Sequence, residues 1–296
     1  MHVHSYFSGP CTSPRFLGPI CRECYSDPEE VYELLSERGM GLFTLTDHDS
    51  IEGSEALRGR KNFFLSEELT CRMPSGTEVH IGVYDFHERQ HEQLRRRRND
   101  LVGLLMYLTE RRLFFSINHV FSGLTGKRER EDFAWFQNYF PAVETRNGHM
   151  LEETNARASE FAATWEKIGI GGSDAHALPS AGLTYTEVPG ARDKEEFFAG
   201  LREGEGKVGG ESGCFAKLTR DVMVIARELM RERMWTMAMT PLAALIPAIT
   251  YWNYVEEKTF QRRWAQQILG QEKTRRRPRW ISLPQAAPQA AIGEWV

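Results

Sequence analysis

Short apolar runs and amphipathic stretches alternate over the first two-thirds of the chain. Residues 28–38 read as a helix: Asp27 caps it, Pro28 sits in the first turn, and Val31, Leu34 and Leu35 share a face. Gly39 ends it. Residues 42–46 read as a buried strand running into Asp47-His48-Asp49. A second apolar run, 63–65, ends at Glu67-Glu68, and a third, 79–86, contains His80. Residues 101–112 read as a helix, 113–117 as a strand ending at Asn118-His119, 142–145 as a strand, and 152–167 as a helix. Residues 168–172 then lead to Ser173-Asp174-Ala175-His176.

Strands that alternate with helices imply parallel pairing and an α/β fold. The metal-type residues fall at the C-terminal ends of the apolar runs or just beyond them. In an α/β barrel those ends converge on one mouth, so residues far apart in sequence can share a site. From about Cys214 the pattern changes. Residues 218–233 and 260–272 read as helices, and residues 234–255 form an uncharged run between them. A basic run, 273–279, leads into a Pro/Ala/Gln-rich end expected to be disordered. The division is therefore 1–212, 213–272 and 273–296.

Composition sharpens this picture at three points. The 41% apolar content is enough for a packed core and argues against wholesale disorder. The net charge of -4 hides an asymmetry: residues from Gly213 onward carry +6, and the first 212 carry -10. An acidic front and a basic tail suggest a tail that seeks an anionic surface. The five cysteines, Cys11, Cys21, Cys24, Cys71 and Cys214, are an odd number, and Met1-His2-Val3-His4 lacks the basic and apolar regions of a signal peptide. Reduced thiols in a cytoplasmic protein are expected. Cys21-x-x-Cys24 with Cys11 lacks a fourth ligand for structural zinc and reads as loop cysteines.

Six of the nine histidines sit in short motifs: His2-Val3-His4, Thr46-Asp47-His48-Asp49, His80, His119 and Asp174-Ala175-His176. In an extended segment His2 and His4 point to the same side, as do Asp174 and His176. A lone histidine is usually a satisfied core residue. Five such motifs in order, each at the end of an apolar run, are hard to obtain from packing. Histidine and carboxylate ligands, with a carboxylate able to bridge, are what a multi-metal phosphoesterase site needs. There, metals screen the phosphate's charge, lower the pKa of a water and stabilise the leaving oxygen.

The motifs H-V-H-S (2–5), T-D-H-D (46–49), S-E-E-L-T (66–70), V-H-I-G-V-Y (79–84), N-H-V-F (118–121) and G-G-S-D-A-H (171–176) resemble those of the PHP family, the polymerase and histidinol phosphatase phosphoesterases. The resemblance spans roughly residues 1–210. It implies a distorted (β/α)7, TIM-like barrel with its site at the C-terminal mouth, here followed by a helical extension. It implies two or three divalent metals (Zn, Mn or Fe). His2, His4, Glu68 and Asp174 would hold one, Glu68, His80 and His119 a second, with Glu68 bridging, and His48 and His176 would help hold a third. Glu68 is chosen over Glu67 because it precedes the hydrophobic-Thr pair of the family pattern. The implied reaction is in-line attack on phosphorus by a metal-bound hydroxide, with Asp174 or His176 assisting the proton. Arg146 and Asn147, after the strand at 142–145, are candidates to bind phosphate, and His149 to protonate a leaving group.

Two departures stand out. The family often has an acidic residue or histidine a few positions after H-x-H, where this chain has Ser8-Gly9-Pro10. The third metal is then expected to be absent or to be completed from elsewhere, for example by Asp47 or Asp49. Only Met1 precedes the first motif, which implies a short first strand or a chain that begins upstream. The Arg95–Arg98 run reads as a solvated helix face, with nucleic-acid contact as the alternative. The 234–255 run suits either a membrane, with Trp235 at one end and Tyr251, Trp252 and Tyr254 at the other, or a helical hairpin packed on the barrel or a second subunit. The expected activity is hydrolysis of a phosphate ester, with a small phosphomonoester favoured. The alternatives are a nuclease or phosphodiesterase and a non-catalytic, metal-stabilised module anchored by its tail.

Overall fold

The computed structural model describes residues 1–11, 18–123 and 126–272. The basic run 273–279 and the segment after it lie outside these residues. The elements are α1 (Pro28–Glu37), α2 (Glu52–Ala56), β1 (Ser66–Arg72), β2 (Glu78–Tyr84), α3 (Glu88–Arg97), α4 (Leu101–Glu110), β3 (Phe114–Ile117), α5 (Arg130–Tyr139), β4 (Ala142–Asn147), α6 (Glu152–Thr164), β5 (Ile168–Gly172), β6 (Thr184–Glu187), α7 (Lys194–Glu203), β7 (Lys207–Gly210), α8 (Phe215–Glu232) and α9 (Ile246–Glu272). The predicted N-cap of α1 is present, with the Asp27 side chain accepting from the Glu29 N–H.

Strands β1 to β5 form one sheet in chain order. The β1/β2 and β2/β3 pairs are antiparallel, whereas β3, β4 and β5 run parallel. Strands β6 and β7 pair separately. Leu69, Ile81 and Ile117 from the sheet pack with Leu104 and Leu108 of α4, Phe133 and Phe136 of α5, and Phe161 of α6. These are fully or almost fully buried, and each large apolar side chain so removed from water contributes roughly 2 kcal/mol.

The first two strand pairs are antiparallel rather than parallel, and among the described residues the strands do not form the closed sheet of the expected seven-stranded barrel. Residues 2–4 and 42–46 are not strands. They make single bridges, Val3 with Ala175 and Phe43 with Phe63, followed by His48 with Glu68. The physical reason lies in their polar side chains, which take backbone partners a ladder would otherwise use. The Val3 N–H donates to Thr46 Oγ1 at 3.0 Å, the Thr44 hydroxyl donates to the Phe64 carbonyl at 2.8 Å, and the Ser5 N–H donates to the Asp47 carboxylate at 2.6 Å.

Candidate metal centre

The site is assembled by register. Strand β1 alternates, so adjacent glutamates face opposite ways. Glu67 accepts from His91 Nδ1 at 2.8 Å on one side. Glu68, also buried, faces the histidines on the other. Backbone bonds from the Glu68 N–H to the Asp47 carbonyl (3.2 Å) and from the Asp49 N–H to the Glu68 carbonyl (2.9 Å) set His48 beside Glu68. In the same manner the Asp174 N–H donates to the His2 carbonyl (2.8 Å) and the His4 N–H to the Ala175 carbonyl (3.2 Å). The two H-x-H-like segments therefore lie side by side. His119 and Asp174 both adopt positive φ, 28° and 48°, conformations that L residues rarely occupy and that tend to gather at functional sites.

All eight predicted ligands come together. His2 Nε2 lies 3.1 Å from His4 Nε2, 3.1 Å from Glu68 Oε2 and 3.4 Å from Asp174 Oδ1. His4 Nε2 lies 3.5 Å from Glu68 Oε2 and 3.2 Å from Asp174 Oδ1. A tetrahedral ion with bonds of about 2.1 Å would have ligand–ligand edges of about 3.4 Å. Five edges of such a tetrahedron are thus present. The other carboxylate oxygen, Glu68 Oε1, lies 3.3 Å from His119 Nε2 and 3.5 Å from His80 Nδ1. The buried His80 Nδ1 has no hydrogen-bond partner, which suits a nitrogen kept for an ion. His48 Nδ1 stands 3.3 Å from Glu68 Oε2, and the His4 ring packs against both His48 and His176, at 4.6 and 4.3 Å.

Both carboxylates suggested for the third position have other partners. Asp47 is occupied by Ser5 and Ser8, and Asp49 by the Thr70 N–H and Arg98. Glu23, which lies in none of the motifs, stands beside His48 and His176. Its two carboxylate oxygens lie 3.8 Å from His48 Nε2 and 3.8 Å from His176 Nε2. It lies inside the Cys21–Cys24 stretch, where the cysteines drew attention away from it. Cys21 and Cys24 are buried, and among the described residues no group that could hold a metal contains a cysteine.

A second layer holds the ligands. His2 Nδ1 donates to Glu144 Oε1 at 2.7 Å, which leaves Nε2 free to face the cluster. Glu144 Oε2 accepts from the His119 N–H (3.1 Å) and from the Asn147 amide (2.9 Å), which also donates to Asp174 Oδ2 (2.8 Å). The Asn118 amide donates to Glu68 Oε1 at 2.8 Å. Asn147, expected to bind phosphate, is buried within this network. Arg146 points elsewhere, to the Gly210 carbonyl and Glu152. His149 lies over His176 and shares Asp221 of α8 with Ser180.

Electrostatics follow from crowding. Burial works against a charge on His2, but Asp174, Glu68 and Glu144 raise its pKa well above the ordinary histidine range. Burial, with His176 and His2 as neighbours, pushes His4 down to about 3. Burial favours a protonated Glu68, yet His2, His80 and His48 hold its carboxyl well below its usual range. Burial pushes Glu23 up to about 7.

Residues 152–205, which run from α6 through α7 and include Asp174 and His176, match the PHP-associated family model. This match, with the converging motifs, supports the PHP family. PsfC from Pseudomonas syringae PB-5123 shares the fold, with a TM-score of 0.52 at 15% identity over 78% of this chain and 96% of that one. A candidate metal-dependent phosphoesterase from Bifidobacterium adolescentis overlaps with a TM-score of 0.42 at 13% identity, over 69% of this chain and 95% of that one. The lesion-specific endonuclease PfuEndoQ from Pyrococcus furiosus overlaps with a TM-score of 0.48 at 14% identity, over 70% of this chain and 56% of that one. No curated protein matches the chain. The PHP-associated match leaves β1 to β4 untouched, so the ligands before residue 152 rest on the geometry above.

Proposed function

We propose that this protein hydrolyses a phosphate ester, a small phosphomonoester in preference to a nucleic acid, at a cluster of two or three divalent metals. The observation that carries the reading is Glu68: one buried carboxylate, both of whose oxygens face histidine nitrogens at 3.1–3.5 Å. A bridging carboxylate has that arrangement. His2, His4, Glu68 and Asp174 would hold the first metal, Glu68, His80 and His119 the second, and His48, His176 and Glu23 the third. Zn, Mn and Fe all suit this donor set. Bound there, the metals supply neutralisation of phosphoryl charge and a water of lowered pKa. Glu144 keeps the His2 proton on Nδ1, and Asn147 and Asn118 fix the carboxylates. Asp174 or His176 takes up the proton released by the attacking water. The preference for a small substrate is supported by α3. Arg95 and Arg96 pair with Glu92 on their own helix, and Arg98 pairs with Asp49, so this run offers no free cationic track to the ligands. A cytoplasmic location remains our reading of the five thiols.

The test is elemental analysis of protein purified without chelator, with hydrolysis of p-nitrophenyl phosphate measured alongside. Two or three equivalents of metal are expected. Glu23→Gln should lose one of them, and Asp174→Asn should cut turnover roughly a hundredfold or more with the fold intact. Cleavage of an oligonucleotide but of no monoester would replace the substrate assignment. Protein that takes up no metal even from added Mn or Zn would end the catalytic reading.

A further inference from the structure

Helix α8, a 3-10 segment (Met234–Leu245) and α9 form a hairpin. Its base is docked. Trp264, Ala265, Ile268 and Leu269 of α9 are buried in the same core cluster as Phe133 and Phe161, and the Thr219 and Thr250 hydroxyls join the two arms at 2.7 Å. The connecting segment and the first turns of α9 are different. Met234 is 75% exposed, Trp235 59% and Trp252 67%, Leu242, Leu245 and Ile249 are more than half exposed, and Tyr251 and Tyr254 pack on Phe215 at the start of α8. Among the described residues, every exposed large apolar side chain except Tyr185 lies between Phe215 and Val255. A soluble surface rarely gathers so many.

The chemistry around the tip says what covers it. Residues 234–255 contain no Asp, Glu, Lys or Arg. Trp235 stands at one end, with Tyr251, Trp252 and Tyr254 at the other, where amphipathic rings suit a lipid headgroup layer. Cations flank both ends: Arg227 is exposed before the tip, and Arg262 and Arg263 are exposed after it. The sequence then continues into Lys273, Arg275, Arg276, Arg277 and Arg279. Glu228 lies 2.8 Å from Arg231 and 4.0 Å from Arg227, so Arg231 adds less. The +6 carried from Gly213 onward, against -10 before it, would draw the hairpin to an anionic layer and turn the acidic front away from it. Met234–Gly270 is long and apolar enough by composition to cross a membrane. Its second half is instead docked on the core and carries Glu256, Glu257 and Lys258, and Pro241 interrupts the first half.

We propose that residues 234–255 are an interfacial anchor, inserting their aromatic and aliphatic side chains into the surface of an anionic phospholipid membrane. The anchor binds by buried apolar area together with attraction of the flanking arginines to the headgroups. It lies on the membrane rather than across it.

The experiment is flotation of the full chain with phosphatidylcholine vesicles prepared with and without phosphatidylserine. Light scattering on the protein alone reports its oligomeric state, and metal content and melting temperature serve as controls for folding. The wild type should float with the anionic vesicles and weakly or not at all with the neutral ones. Trp235→Ser with Trp252→Ser, both exposed, should lower the bound fraction at least about tenfold at unchanged metal content. Arg227→Gln and Arg262→Gln should each weaken binding about fivefold at low salt. A wild type that stays out of the anionic vesicles overturns the proposal. So does a double tryptophan variant that floats as well as the wild type, since binding would then belong to residues 273–279. A stable dimer lost in that variant, without vesicle binding, would assign the tip to a second copy of the chain.

Discussion

Glu144 shows how much of the centre depends on a residue that was not itself expected to be a ligand. It accepts a hydrogen bond from His2 Nδ1 at 2.7 Å and one from the His119 N–H through its other oxygen, so one carboxylate orients ligands of both expected metals. Such outer partners usually change metal affinity by about ten- to a hundredfold when lost. Glu144→Gln should therefore weaken metal retention by that factor, read by competition with a chelator. The variant should keep its melting temperature in the metal-free state within a few degrees. Retention equal to wild type would mean that His2 is held by its backbone alone. Residues of this kind were not legible in the sequence. Glu144 sits in an ordinary strand pattern, and Glu23 sits between two cysteines with no motif of its own. Their roles come from which segments the fold lays beside them.

At the scale of elements, the centre is a matter of register. β1 turns Glu68 inward and Glu67 toward His91 because side chains alternate along a strand. At the end of β5, Gly172 lets residues 2–4 lie against the strand. A Cβ placed there would meet the His2 Cβ at 2.2 Å and the His2 backbone nitrogen at 2.4 Å. Since backbone is in the way, relief requires the first segment to move. Gly172→Ala should cost about 1–3 kcal/mol of stability, in the range of overpacked sites, and displace His2. A lower melting temperature together with the loss of one metal equivalent is the expected result, whereas an unchanged metal content would show that the segment re-seats. β2 to β5 and α1, α4 and α6 were legible from period and caps, within a few residues. Residues 42–46 were read as a strand because their apolar content suits one, and residues 2–4 as a short extended segment because of the H-x-H spacing. Threonine side chains and the Asp47 carboxylate instead divert the backbone bonds that would have made a ladder.

At the scale of the whole molecule, the C-terminal hairpin is fastened to the part that carries the site. Glu257 of α9 accepts from the Gly123 N–H at 2.9 Å and the Ser122 hydroxyl at 3.1 Å, close after His119. Burial raises this carboxyl from 4.5 to about 7. The folded state then keeps a proton that the unfolded chain has already lost, so this group's contribution to stability falls as pH rises from about 4.5 to about 7 and is level above that. Glu257→Gln has no such dependence. The melting temperature of the variant relative to wild type should therefore increase from pH 5 to pH 7 and then stay constant. A difference that does not change with pH would mean that the carboxyl titrates normally. Asp221 of α8 makes the corresponding link on the other arm, through His149 and Ser180.

By itself the sequence determined the chemistry and the alternation. Histidine and carboxylate types at the ends of apolar runs, in a fixed order, are local facts, and period and capping are local physics. The charge step near residue 213 and the uncharged run at 234–255 were equally plain. Only the tertiary structure decided which oxygen of Glu68 faces which histidine, that Glu23 stands beside His48 and His176, and that β1 to β3 run antiparallel. It also decided that one face of the second half of α9 is buried while most of the large apolar side chains of 234–255 are exposed. The reason is the same in each case. These outcomes depend on contacts between segments tens of residues apart, and the energies of such contacts are not written in the local pattern of either partner.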